Sequence, residues 1–110
     1  MSEMIPVRSD GGGGPVVVVD PAFEPLIPKF MANRNKEAAT MIEALAENDF
    51  ETITQVAHGM KGVSGSYGFH GMTTIAGRIE GAAKAADGAS IHRHLVELAS
   101  YLKRVEIIYE

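Results

Sequence analysis

His58 and Lys61 stand three residues apart in the segment Ala57-His58-Gly59-Met60-Lys61-Gly62-Val63-Ser64-Gly65-Ser66-Tyr67-Gly68-Phe69, whose apolar spacing reads as a helix. Neutral imidazole is populated near pH 7, and its free ring nitrogen is a nucleophile that can attack phosphorus. A lysine one turn away supplies a cation that would neutralise the oxygens of a bound phosphoryl group. The second ring nitrogen needs an acceptor that fixes the tautomer, and Glu80, on a later helix, is the candidate. Gly59, Gly62 and Gly65 fall in the same helix, where each glycine costs roughly 0.8–1.0 kcal/mol relative to alanine. Such a concession points to function: side chains trimmed beside a histidine leave room for something to dock. Each of these residues also has an ordinary reading. His58 would then be a surface histidine, Lys61 a solvated lysine, the glycines a helix-packing stripe and Glu80 a surface acid.

Four helices would have to hold these groups. Asp20-Pro21 is a capping acid followed by proline, and Pro25 and Pro28 predict a short first turn and a kink. Phe23, Ile27, Phe30, Met41 and Leu45 then line one side of a first helix running to about Glu47, which Asn48-Asp49 ends while capping the next. Phe50, Ile53, Val56, Ala57, Met60, Val63 and Tyr67 recur every three or four residues as the apolar face of a second. At ~100° per residue His58 points ~150° away from the centre of that face, and Lys61, Gly62 and Gly65 share its side. Gly68 and Gly71 bracket a turn. Met72, Ile75, Ile79, Ala82, Ala83 and Ala86 form a third stripe, stopped by Asp87-Gly88. Ser90 is placed to cap a fourth helix whose core face is Ile91, Leu95, Leu98, Leu102 and Val105. Short connections between long amphipathic helices make neighbours antiparallel. The fold class read from this pattern is all-α, an antiparallel up-down-up-down four-helix bundle over residues 20–110. Residues 1–19, with Gly11-Gly12-Gly13-Gly14, Pro6 and Pro15, read as a flexible N-terminal tail or linker. The run Val16–Val19 is at most a lone extended arm, since no partner strand is visible.

Composition narrows the function classes. The 110 residues suffice for one domain with a modest core, and the 45% hydrophobic content is that of a soluble globular chain. A net charge of −4, a pI near 5.5 and the lack of any basic block argue against nucleic-acid binding. Without cysteine there are no disulfides, Cys-based zinc sites or thiol nucleophiles. The valine run is far too short for a membrane span, and no basic leader precedes an apolar stretch, so a cytoplasmic protein is expected. His92-Arg93-His94 suggests a metal site only superficially, because helical residues two apart diverge by ~200°. The glycines of 62–71 are spaced by threes but match no GxxxxGK[ST] loop and follow no strand. Neither a metal nor a cofactor of the chain's own is expected.

The run from His58 to Phe69, with Ile75, Ile79 and Glu80 downstream, resembles the signature of histidine-containing phosphotransfer (HPt) domains of two-component phosphorelays. The likeness extends over most of residues 20–108, including Phe30, Asn33, Arg34 and the Asp49-Phe50 helix start. It implies a phosphoryl group carried on His58, exchanged with an aspartate of a response-regulator receiver domain and with a histidine or hybrid sensor kinase. By the same resemblance Lys61 stabilises the phosphoryl group, Gly62 permits close approach, and Glu80 makes a polar contact that orients the ring; Gly65, on the same helix face, is read with Gly62 as part of the docking surface. A phosphoryl carrier of this kind is a monomer and not an enzyme, with any Mg²⁺ held by the receiver. Two alternatives stand beside it: an inert HPt-like bundle that binds and regulates a receiver, and the dimerising phosphoacceptor domain of a sensor kinase. The intact His58–Lys61 pair weighs against the first, Gly59 and the four-helix count against the second.

Overall fold

A computed structural model describes residues 14–110. In chain order it contains β1 (Val16–Val19), a 3₁₀ turn (Pro21–Leu26), α1 (Ile27–Ala46), α2 (Phe50–Ser66), α3 (His70–Lys84), α4 (Gly88–Arg104) and β2 (Glu106–Tyr109). The helices form the expected up-down-up-down bundle. The proline-rich start is the expected short turn, begun by Asp20, whose carboxylate accepts from Ala22 N–H at 2.9 Å. Each apolar stripe faces inward: Ile27, Phe30 and Met41 from α1, Ile53, Ala57 and Met60 from α2, Met72, Ile75 and Ile79 from α3, and Ile91, Leu95 and Leu98 from α4 are all buried.

Caps and backbone reversals fix the element ends. Asp49 accepts from Thr52 N–H at 3.1 Å and Thr52 Oγ1 donates to its other oxygen at 2.7 Å, which satisfies donors that the first helical turn leaves orphaned. Both Asp49 and Asp87 are held below the usual carboxylate range, chiefly by these bonds from the side chains of Thr52 and Ser90. The cap of α4 differs from expectation. It is Asp87, accepting from Ser90 N–H at 3.1 Å and from Ser90 Oγ at 2.8 Å, so Ser90 lies inside the first turn. Ala86 does not continue the α3 stripe either. Its φ of +53° reverses the chain so that Asp87 can reach its capping position. Val105, expected on the α4 core face, is extended (φ −64°, ψ 135°) and ends the helix. Gly71 belongs to α3 and brackets no turn. A Cβ there would stand 2.9 Å from Tyr101 Cε2, so glycine is needed for α3 to close on α4.

The valine run has a partner after all. Val16–Val19 pairs in parallel with Glu106–Tyr109, Val16 opposite Glu106 and Val19 opposite Tyr109. Flanking bonds from Glu106 N–H to Pro15 O (2.8 Å) and from Glu110 N–H to Val19 O (3.1 Å) extend the ladder. The alternation of a strand buries Val17 and Val19 in the bundle's core and exposes Val16 and Val18. Residues 14–19 are therefore part of the folded unit, a correction to the expected tail over 1–19; the rest of that expectation, 1–13, lies outside the described residues.

Candidate functional site

The site forms where α2 runs antiparallel to α3, and the turn between them sets its register. Tyr67-Gly68-Phe69 makes that turn, with Gly68 at φ +88°, a region where only glycine is free of a Cβ clash. Phe69 is fully buried and stacks on Phe30 of α1 with ring centroids 4.8 Å apart. Tyr67 packs on Phe30 at 4.7 Å and on Phe23 at 5.3 Å. Farther along the seam Thr73 Oγ1 donates to Lys61 O at 3.3 Å. With the two helices so aligned, Glu80 of α3 comes opposite His58 of α2.

His58 lies on the outer side of α2, its side chain 70% exposed, and its Nδ1 is 3.0 Å from Glu80 Oε2. Lys61 Nζ is 2.9 Å from Glu80 Oε1. Glu80 itself is no surface acid: its side chain is only 8% exposed. A carboxylate this enclosed persists as an anion only when paired. Lys61, foremost, with His58 and Lys84 holds Glu80 down to about 2, against the upward push of burial. An ionised carboxylate only accepts. Nδ1 is therefore the nitrogen that donates, and in the neutral ring this tautomer leaves the Nε2 lone pair free for an incoming electrophile.

The surface around the ring is bare. A Cβ added at Gly59 or Gly62 would meet nothing within 4 Å. Gly65 is placed otherwise: its Cβ would lie 3.5 Å from Thr73 Oγ1, in the seam between α2 and α3 and not on the open surface. Sequence reasoning missed three residues of α3. Gly77 lies where an added Cβ would come 3.5 Å from Lys61 Cδ, in ordinary contact with the lysine stem as it crosses to Glu80, and Gly81 faces open space. Lys84 Nζ stands 3.3 Å from Glu80 Oε2. All three follow from Glu80 by helical spacing, since positions 77, 80, 81 and 84 share one face. That spacing was the available signal.

His92 is exposed, and His94 pairs with Glu97 at 3.2 Å. Among the described residues no group of three or more His, Cys, Asp or Glu side chains is placed to hold a metal ion, and no helix is long and apolar enough to cross a membrane. Compared with known proteins, residues 26–107 match the family model described as the Hpt domain. No curated protein and no solved structure matches the chain.

Proposed function

The chain belongs to the Hpt domain family, and from that premise we propose that it is a cytoplasmic, monomeric phosphoryl carrier with His58 Nε2 as the atom that is phosphorylated. Hpt domains are phosphocarriers that exchange with receiver domains and kinases in phosphorelays. The observation that most supports the assignment is the pairing of an exposed ring with a buried carboxylate on its Nδ1. In the step envisaged, the Nε2 lone pair forms the N–P bond as the P–O bond of a receiver aspartyl phosphate breaks. The receiver's carboxylate leaves with that electron pair. The ring keeps its Nδ1 proton and so becomes cationic, and Glu80, already ionised and in place, stabilises the developing charge without reorganising. Lys61, 41% exposed and one helical turn from His58, would turn from Glu80 toward the phosphoryl oxygens. Gly59 and Gly62 leave the partner's surface unobstructed. In this reading Mg²⁺ is held by the receiver's acids.

His58→Gln tests the reading. Because the side chain is exposed, the variant should keep the wild-type circular dichroism and melting curve. Incubated with a phosphorylated receiver, the wild-type chain should gain an acid-labile phosphate and the variant none. Phosphate retained by folded His58→Gln would overturn the assignment.

A further inference from the structure

Three nitrogen groups converge on one enclosed carboxylate, and two of them share an oxygen. Lys61 takes Glu80 Oε1 at 2.9 Å, whereas Oε2 is contacted by His58 Nδ1 at 3.0 Å and by Lys84 Nζ at 3.3 Å. We propose that Lys84 is a positioning residue for the His58 ring: by sharing Oε2 it holds the Glu80 carboxylate toward the histidine and weakens that oxygen's pull on the Nδ1 proton. The proposal rests on the reading of His58 as phosphoacceptor.

The chemistry follows from charge. Phosphorylation at Nε2 leaves the ring cationic, and the carboxylate on Nδ1 favours that state. Unopposed, such a carboxylate would deepen the phosphorylated state until onward transfer became slow. A cation on the same oxygen draws off part of its negative charge, so the phosphoryl group stays transferable. Glu80 and Lys84 also form an i,i+4 pair of the favourable orientation, which supports the helix whatever the ring does. That ordinary role predicts no effect on the histidine and is separable from the proposed one. The charged groups facing the ring are Lys61 from α2 with Glu80 and Lys84 from α3. Among the described residues no ion pair joins this cluster to α1 or α4: Arg34 of α1 pairs with Glu37 of its own helix, and Arg78 of α3 turns away to Glu97 of α4.

The test is an NMR titration of the His58 ring in the full chain. Lys84→Met, and Lys84→Gln as a second variant, should raise the pH at which the ring loses its proton by about 0.3–0.7 units, the size appropriate to an exposed ion pair. Arg78→Met removes the same charge from the same helix and should leave the transition in place. In a Glu80→Gln background, Lys84→Met should move it less than in the wild type. The proposal is overturned if the Lys84 variants move the transition no farther than Arg78→Met, or if the shift is as large without the carboxylate. Phosphoryl acceptance measured on the same samples separates the two ideas. Acceptance without the shift sinks the role of Lys84 alone, and the shift without any acceptance by the wild-type chain sinks the carrier reading alone.

Discussion

The α2–α3 and α3–α4 junctions share a backbone geometry and differ in what holds them. At the first, Gly68 N–H bonds Gly65 O (3.1 Å) and Phe69 N–H bonds Ser64 O (2.9 Å). At the second, Ala86 N–H bonds Ala83 O (3.0 Å) and Asp87 N–H bonds Ala82 O (2.9 Å). Each is a helix end closed by one left-handed residue. The next residue then diverges. Asp87 caps α4 with its own carboxylate, a local device. Phe69 stands at the equivalent position with no side-chain cap bond and instead buries its ring against Phe30 of α1. One junction is secured by two or three neighbours in sequence, the other by the core. The difference matters because the His58–Glu80 contact depends on how α2 and α3 are set lengthwise. A slip of one helical turn is ~5.4 Å, enough to carry Glu80 out of reach of the ring. The hairpin that bears the chemistry has given up a cap for an anchor that fixes its register.

This contrast can be broken most severely at Phe69. Phe69→Ala should cost about 3–5 kcal/mol in denaturant unfolding, a large fraction of the about 5–15 kcal/mol typical of a domain. A loss of only the size of a missing cap, about 1 kcal/mol, would show that the two junctions are equivalent. Acid should have the next largest effect, through the carboxylate that the register delivers. Glu80 titrates at about 2 in the folded chain against an ordinary 4.5, so the unfolded chain takes up its proton first as pH falls. Its contribution to stability is complete above 4.5 and disappears as pH drops through about 2. Stability measured by denaturant unfolding between those values should fall steadily with pH for the wild type and less for Glu80→Gln, with salt flattening the wild-type slope because Lys61 and Lys84 are partly exposed. The smallest effect belongs to the locally built junction. Ala86→Gly should stabilise by about 0.5–1 kcal/mol, the left-handed cost of about 1–2 kcal/mol for alanine less the greater unfolded freedom of glycine. An unchanged midpoint would mean that the turn carries no strain.

What could be read from the sequence was whatever repeats over a few residues. The helical stripes, the Asp49 cap, the proline-rich entry and the exposure of His58 all follow from three- and four-residue spacing. Glu80 as the partner of the ring came from the family resemblance and not from local spacing, and its burial was not legible at all. A glutamate on a helix reads as solvated until two lysines and a histidine are seen around it, and that requires the lengthwise fit of two helices. Lys84 escaped notice because its partner is Glu80 and not the histidine itself. Ala86 misled because alanine suits a helix interior far better than a left-handed turn. The strand at Val16–Val19 was hidden more deeply, since its mate lies beyond all four helices and no local period links the two.

That strand pair recasts the topology. Two parallel strands always need a long connection between them, and here the connection is the entire bundle. Bringing Val16 beside Glu106 closes a loop around every helix, an ordering cost that helical hairpins do not face. The helices can assemble through contacts close in sequence, which form early, whereas the strands can meet only once that assembly is in place. On loop-closure grounds the clasp is expected to form last in folding and to open first in its reversal. Its release would loosen α4 at Arg104 while leaving the histidine and its carboxylate on the hairpin between.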